Sequence, residues 1–323
     1  MRHHWRAIDP HVHCRDEEQS AKTTISEVLG LAHSQGIDLI FDMPNTEVPV
    51  VDRQRVWDRL NLVPKGEKDN YRLYVGLTGD ESLIVEALWC YNNLPEAIGL
   101  KMFCGRSVGD LSVTETAQQQ LVYQVLSKQR FQGVLALHCE KEEHLNTSIW
   151  DANAPITHGQ ARPEIAEEMS IVDQINFASD TNYQGRMHIC HVSTPAGVRA
   201  VHAGRSVRLD ISCAVTPHHL MWDESKMTGA EGLIYKMNPP LRGKESVSLL
   251  REQLLAGMID LIETDHAPHT AAEKAPPKCL SGYPSLSLYR QFVGEFLPGI
   301  GLSESMIHKL TLDNILAIFG DKL

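Results

Sequence analysis

The feature that most constrains this fold is an alternation of eight short apolar runs with helix-like segments along the whole chain. Segments such as 23–36 and 115–129 repeat apolar residues at helical spacing, and Gly36 is placed to end the first of them. Strands that alternate with helices predict right-handed βαβ units and a parallel sheet. The eight predicted strands span residues 5–11, 37–43, 71–77, 97–103, 133–139, 186–192, 207–213 and 258–265.

Eight such units in 323 residues match an α/β fold of the (β/α)8 TIM-barrel type, which typically needs roughly 250 residues. An open, doubly wound sheet is the alternative with the same alternation. That fold often binds nucleotides through G-x-G-x-x-G or G-x-x-x-x-G-K-[ST] loops, and neither follows a predicted strand here. No internal repeat, low-complexity tract or linker divides the chain. We therefore predict a single barrel domain over residues 1–323.

Composition excludes several classes of protein. The net charge is -11 and no cluster of Lys and Arg is present, which argues against a nucleic-acid-binding protein. No run of about 18 apolar residues predicts a membrane span, and the N-terminus lacks the apolar stretch of a signal peptide. Seven scattered cysteines without a C-x-x-C pair are typical of reduced thiols. We predict a cytoplasmic protein.

Metal-binding residue types recur where the predicted strands end, and the C-terminal ends of barrel strands carry the chemistry of this fold. Two histidines separated by one residue in a strand point the same way, roughly 6.6 Å apart, a spacing that suits two ligands of one ion. Six candidates come from five strands and share one face of the barrel: His11, His13, Lys101, His138, His191 and Asp265.

Each of these candidates has a structural alternative when it is considered alone. His138 and His191 end apolar runs, where a histidine bonded to the backbone is a common core residue. Asp265 suits a buried ion pair, and Lys101 suits an ion pair with a barrel carboxylate. Desolvation and neighbouring cations would instead lower the pKa of Lys101, and a neutral amine can add carbon dioxide to form a carbamate that bridges two metals.

The candidate ligands and the motifs around them resemble the amidohydrolase superfamily and, within it, the dihydroorotase family. The resemblance runs from residue 7 to the C-terminal helices, and its specificity comes from the combination of motifs. These are DPHVHCR (9–15), MPNT (43–46), GLKMF (99–103), LHCE (137–140), RPEIAE (162–167), ICHVST (189–194), TPHHL (216–220), MNPPLR (237–242), TDHAPHT (264–270), and EK (273–274) followed by SGYPSL (281–286).

The resemblance implies a centre with two zinc ions. His11, His13 and Asp265 would hold the more buried ion, and His138 and His191 would hold the other. Carbamylated Lys101 and a hydroxide would bridge the two ions. Asp265 would accept the proton of the hydroxide and pass it to the departing ring nitrogen. The implied reaction is the reversible interconversion of dihydroorotate and N-carbamoyl-L-aspartate, a step of pyrimidine biosynthesis.

The resemblance also implies a set of substrate-binding residues. Arg15, Asn45 and His269 match the positions that bind the ring carboxylate of the substrate, which requires a donor-rich pocket. The alternative for Arg15 is a surface ion pair with Asp16 or Glu17. Asn238 and the backbone around Tyr283, residues 282–284, are expected to line the pyrimidine ring.

Two departures from the family pattern stand out. Family members carry a small β-sandwich built from both chain ends, whereas here the first strand begins almost at residue 5 and the sequence ends soon after NILAIFGDKL. We therefore expect no sandwich, and a homodimer or a complex with aspartate carbamoyltransferase would cover the surface left bare. The loop 104–115 also departs from the threonine-containing lid of the family.

Two other functions remain open at this stage. Hydantoinases and allantoinases resemble this chain in the metal ligands but lack an arginine after H-x-H. An inactive dihydroorotase-like scaffold that binds aspartate carbamoyltransferase is a function of a different class. Such scaffolds are expected to have lost metal ligands, and all six candidates are present here.

Overall fold

The computed structural model describes residues 6–106, 111–229 and 231–323, and its strands form one parallel sheet in the order of the chain. All eight predicted strands are confirmed. Their observed bounds are β1 Ile8–Val12, β2 Leu39–Asp42, β3 Tyr71–Gly76, β4 Ala97–Phe103, β5 Val134–His138, β6 Arg186–Ile189, β7 Ile211–Val215 and β8 Leu261–Ile262.

The sheet closes through contacts between its first strand and the segment after its last. Val12 and His266 form a parallel bridge, and the amide of His13 donates to the carbonyl of His266 at 2.8 Å. The buried carboxylate of Asp9 accepts hydrogen bonds from the amide and hydroxyl of Thr264 at 3.0 and 2.6 Å. The TIM-barrel prediction is confirmed, and the open-sheet alternative is wrong.

Helices cover the outside of the barrel. The first begins at Thr24, whose side chain forms a reciprocal capping box with Glu27, and it ends at Gly36 with φ 89°, as the sequence predicts. The longer helices between strands are Ile25–Gln35, Arg53–Leu62, Glu81–Asn93, Thr116–Lys128, Glu164–Asp180, Pro195–Ser206 and Lys244–Leu255, and the shorter ones are Thr157–Ala161 and Pro217–Met221. After β8 come Ala271–Lys274, Tyr289–Gln291, Phe292–Phe296 (π), Leu297–Gly299, Glu304–His308, Lys309–Asp313 (π) and Asn314–Phe319.

Apolar side chains form two main layers. One layer lies between the sheet and the surrounding helices, and it includes Cys14. The other fills the barrel interior, where Phe319 of the last helix stacks edge-on against Phe41 and Tyr74 with centroid distances of 5.2 and 6.3 Å. The last helix therefore closes the barrel end opposite the C-terminal strand ends.

The loops after the strands differ from the prediction in two places. β6 and β8 end earlier than expected, so His191 lies two residues beyond β6 and Asp265 lies three beyond β8. In the 104–115 loop, residues 107–110 fall outside the described part of the chain, whereas Ser112 forms a parallel β-bridge with Phe103.

Every named strand of the described residues belongs to the barrel. None of the described helices is long and apolar enough to cross a membrane.

Candidate metal centre

His11, His13 and Asp265 converge at the C-terminal end of the barrel. Nε2 of His13 lies 2.9 Å from Oδ1 of Asp265, and Nε2 of His11 lies 3.3 Å from the same oxygen. One ligand atom from each residue falls within 4.8 Å of the other two. His11 lies in β1 and His13 directly follows that strand, and the side chains of an i, i+2 pair in an extended chain point to one side.

His138 and His191 form a second convergent pair. Nδ1 of His138 faces Nε2 of His191 at 3.1 Å, and both rings are buried. The ring centroid of His191 also lies 5.1 Å from that of His11, so the second pair adjoins the first group. Burial lowers the pKa of both histidines, which favours the neutral form that binds metals.

Two of these residues adopt a backbone conformation that is uncommon outside glycine. His191 has φ 36° and Asp265 has φ 48°. A positive φ costs about 1–3 kcal/mol for such residues and persists where the surroundings impose it. Both residues follow strands that end early, and the turn directs their side chains towards the centre of the barrel mouth.

A carboxylate oxygen and an amide oxygen fix the ring orientations of His11 and His13. Nδ1 of His11 donates to Oε1 of Glu263 at 3.0 Å, and Nδ1 of His13 pairs with Oδ1 of Asn45 at 2.7 Å. With Nδ1 engaged in this way, Nε2 of each ring is directed at Oδ1 of Asp265. Outer partners of this kind set the tautomer of a metal-binding histidine. Burial would raise the pKa of the Asp265 carboxyl, but its hydrogen bond with His13 and the nearby rings of His11 and His191 hold that pKa well below its ordinary value.

A buried carboxylate also lies beside His138, although Nε2 of His138 forms no hydrogen bond within the described residues. Oε2 of Glu140 lies 3.2 Å from its Nε2, and the guanidinium of Arg162 donates to both carboxylate oxygens of Glu140. All three side chains are buried. The Arg162 guanidinium holds the pKa of the Glu140 carboxyl below its ordinary value, although burial opposes this shift.

This donor set fits divalent cations. The nitrogen and carboxylate atoms that converge are buried, and Nε2 of His11 has no hydrogen-bond partner among the described residues. A buried polar atom without a partner is costly, and a coordinated cation would remove that cost. Imidazole nitrogens and a carboxylate are ligands that zinc accepts, along with other first-row metals.

Lys101 lies beneath this centre on β4. Its side chain is fully buried, and Nζ donates a hydrogen bond to Sγ of Cys190 at 2.9 Å. Nζ also lies 4.9 Å from the centroid of the Phe103 ring. Within the described ranges, Lys101 forms no ion pair with a carboxylate within 4.0 Å, so the ion-paired alternative is not found.

Arg15 lines the cavity above His11 and His13. It is 2% exposed, and its Nε has no hydrogen-bond partner in the described part of the chain. Burial lowers its pKa. The alternative, a surface ion pair with Asp16 or Glu17, is wrong. Asp16 instead accepts a hydrogen bond from the amide of Ile25 at 2.6 Å.

The remaining candidate substrate residues divide into two groups. Asn45 and Asn238 line the cavity together with the backbone of Ser281 and Gly282. His269 and Tyr283 lie outside this lining. Both ring nitrogens of His269 are engaged, Nε2 with the carbonyl of Ser281 at 2.9 Å and Nδ1 with Glu273 at 3.3 Å. Tyr283 packs against aromatic rings, including that of Trp222 at 5.1 Å.

The backbone over the cavity is held by Lys274. Its Nζ donates to the carbonyls of Lys236, Leu280 and Gly282 at 2.9, 3.1 and 2.8 Å. Gly282 has φ 146°, and an added Cβ would lie 2.5 Å from the carbonyl oxygen of Ala267. Only glycine fits this position. The hydrogen bonds from Lys274 to these three carbonyls therefore fix the cavity wall formed by Ser281 and Gly282.

Four supporting residues escape the sequence analysis: Glu263, Glu140, Cys190 and Lys274. A signal for Glu263 exists, because it lies two residues before Asp265 in the predicted strand 258–265, and residues two apart in a strand share one side. Cys190 and Glu140 flank predicted ligands without a recognisable pattern. Lys274 belongs to the EK motif, but its three carbonyl partners are distant in sequence or follow it in a loop.

Comparison with known proteins adds an independent observation. The chain is 34% identical over 277 residues to the dihydroorotase of Bacillus thuringiensis (strain Al Hakam) and equally identical to that of Bacillus anthracis (strain CDC 684). These alignments cover 83% of this chain and 60% of each relative. The chain is homologous to dihydroorotases. It spans about 60% of the length of these relatives, and no family profile matches it.

Solved structures of cyclic amidohydrolases share this fold. The L-hydantoinase (dihydropyrimidinase) of Arthrobacter aurescens superposes with a TM-score of 0.83 at 22% identity, covering 98% of this chain and 71% of that one. The dihydropyrimidinase of Brevibacillus agri gives a TM-score of 0.81 at 19% identity, with coverage of 98% and 70%. At such identities the likeness establishes the barrel fold.

Proposed function

We propose that this chain is a dihydroorotase that interconverts dihydroorotate and N-carbamoyl-L-aspartate. The observation that carries the proposal is the position of Arg15. Its buried guanidinium lines the same cavity as His11, His13 and Asp265 and has no carboxylate partner within 4.0 Å among the described residues. A buried arginine without an acidic partner suits a substrate carboxylate, which it can bind in a bidentate manner.

The proposed centre holds two divalent ions, zinc being the expected metal. His11, His13 and Asp265 would bind one ion, His138 and His191 the other, and carbamylated Lys101 would bridge them. When bound, the two ions would supply an activated water and polarise the amide carbonyl of the ring. Two observations support this arrangement: ligand atoms of His11, His13 and Asp265 converge, and the ring nitrogens of His138 and His191 face each other.

The side chains of this chain would orient the substrate and move the proton. Arg15 and Asn45 bind the ring carboxylate, while the backbone at Gly282 lies along the ring and Asn238 bonds its edge. Asp265 accepts a proton at its carboxylate and passes it to the ring nitrogen that leaves, acting as general base and then as general acid. Glu263 keeps His11 in the tautomer that leaves Nε2 free.

His269 has an indirect part in this proposal. The sequence analysis predicts direct contact with the carboxylate, whereas its nitrogens are bonded to Ser281 and Glu273. Burial also lowers its pKa to about 4, so the ring is neutral at physiological pH. In this proposal His269 holds the backbone of Ser281 in place, and Arg15 supplies the positive charge that binds the substrate carboxylate.

A panel of substrates tests the function. Dihydroorotate, allantoin and a 5-substituted hydantoin are offered to protein with measured metal content. We expect turnover of dihydroorotate to exceed that of the other two. Faster turnover of allantoin or the hydantoin would assign the chain to those activities instead. No turnover of any of the three with two metals bound per chain would favour the inactive scaffold.

The partners proposed for the chain are a second copy of itself and aspartate carbamoyltransferase. Either partner would cover part of the outer surface of the barrel. Sedimentation of the purified chain, alone and mixed with that enzyme, measures both associations. A mass of one chain under both conditions would contradict this part of the proposal.

A further inference from the structure

The thiol of Cys190 lies inside the barrel next to the candidate centre, and the proposed reaction does not use it. Ligand atoms of His11, Cys190 and Glu263 lie within 4.8 Å of one another. The three residues are 1–2% exposed. This group shares His11 with the proposed zinc site and adds a sulfur donor on the interior side.

The surroundings of Cys190 provide the features of a cation site. Nε2 of His11 is buried without a hydrogen-bond partner in the described residues, and the Glu263 carboxylate supplies negative charge. Within the part of the chain that the structure describes, Sγ of Cys190 accepts one hydrogen bond, from Nζ of Lys101 at 2.9 Å. A thiolate is a soft ligand, and it favours cations that bind sulfur more strongly than oxygen.

We propose that His11, Cys190 and Glu263 form a second, overlapping site for a soft divalent cation of the cadmium class. On binding, one bond forms between sulfur and the cation while the S–H bond of Cys190 breaks, and the proton leaves to solvent. No oxidation or reduction takes place. Because His11 belongs to both groups, a soft cation at this site excludes the zinc that His11 would otherwise bind.

Cys139 provides a matched control. It directly follows the candidate ligand His138, just as Cys190 directly precedes His191, and it is as buried as Cys190. Its side chain packs in the layer between sheet and helices near Cys104 and Ser170. Neither of the metal-capable groups within the described ranges contains Cys139.

Cadmium binding to the full chain, freed of metal by dialysis against a chelator, tests the proposal. The near-ultraviolet charge-transfer band of a cadmium thiolate is followed during titration with Cd²⁺ for wild type, Cys190→Ser, Cys190→Ala and Cys139→Ser. We expect the band in wild type and Cys139→Ser, its loss in both Cys190 variants, and affinity at least about tenfold weaker there. Persistence of the band in both Cys190 variants, or no band in wild type, would overturn the proposal.

Two checks keep this test separate from folding and from the proposed activity. Circular dichroism shows whether each variant is folded, and serine retains a hydrogen-bond acceptor for Lys101 where alanine does not. In Lys101→Met the donor that occupies Sγ is gone, so cadmium should bind more tightly. Weaker binding in this variant would contradict the site. The band does not depend on turnover, so it is expected even if the chain has no dihydroorotase activity.

Discussion

Oε1 of Glu263 lies 3.0 Å from Nδ1 of His11, and this contact decides which nitrogen of His11 faces Asp265. The same carboxylate oxygen accepts a hydrogen bond from the amide of His191 at 2.6 Å. One buried carboxylate therefore links a histidine of each candidate metal group. Its influence on metal binding follows from these two contacts.

Replacing Glu263 with glutamine should weaken metal binding. The amide can present its nitrogen to Nδ1 of His11 and reverse the tautomer, and loss of such a partner typically costs about 10- to 100-fold in metal affinity or activity. Metal content after dialysis at fixed free zinc measures the effect. Glu273→Gln is a control, because Glu273 contacts Lys22 and His269, which are not among the candidate metal ligands. Wild-type zinc affinity in Glu263→Gln would show that the contact has no such role.

Replacing Arg15 tests carboxylate recognition. Arg15→Met should raise KM for dihydroorotate by about 10- to 100-fold, since a hydrogen-bonded charged contact contributes about 1.5–3 kcal/mol. Arg15→Lys should recover only part of this loss because it cannot bind in a bidentate manner. Steady-state kinetics of both variants supply the comparison. An unchanged KM in Arg15→Met would exclude Arg15 as the carboxylate ligand.

Lys101→Ala tests the bridging carbamate. The variant should lose metal and activity, because the cavity left on β4 offers no oxygen ligand between the two histidine groups. Short carboxylic acids added to the variant should partly restore both properties. Metal analysis and activity are measured with and without added acetate or propionate. Full activity of Lys101→Ala without any additive would contradict a carbamate bridge.

Buried histidines should make the metal-free protein less stable in acid. Burial lowers the pKa of His218 to about 4 and that of His158 to about 3, whereas the unfolded chain takes up these protons near pH 6.5. Unfolded protein thus binds more protons below pH 6.5, and the free energy of unfolding falls as pH drops towards 4. Each histidine contributes about 1.4 kcal/mol per pH unit within its window.

Urea unfolding at several pH values between 7.5 and 4.5 measures this dependence. His218→Gln should remove the contribution of one histidine from the slope. His308→Gln is the control at a surface histidine, whose side chain is 55% exposed. Equal slopes in wild type and His218→Gln would mean that His218 does not remain neutral in the folded protein.

The barrel can be predicted from the sequence because the helical spacing of apolar residues and the short apolar runs correspond to helices and strands in the structure. Helical segments end at residues such as Gly36, and apolar runs such as 97–103 become strands without a change of bounds. The pattern is less informative where backbone geometry departs from the strand. His191 and Asp265 reach the centre from left-handed turns beyond shortened strands, and no local apolar pattern encodes those turns.

The ligands of the candidate site are easier to predict than their supports. The H-x-H spacing indicates that the side chains of His11 and His13 point the same way. The contact of His13 with Asn45, by contrast, joins residues that are 32 positions apart, and no local pattern indicates it. The engagement of His269 by Ser281 depends on how a loop folds back. Contacts of this type follow from tertiary packing, so a single sequence gives residue types without their partners.

The most direct test of the central claim is activity in both directions on protein with measured metal content. With two metals bound per chain, we expect closure of N-carbamoyl-L-aspartate at mildly acid pH and opening of dihydroorotate at alkaline pH. Asp265→Asn, assayed in parallel, should abolish both because the general base is lost. Absence of both activities in the wild-type chain with two metals bound would contradict the account.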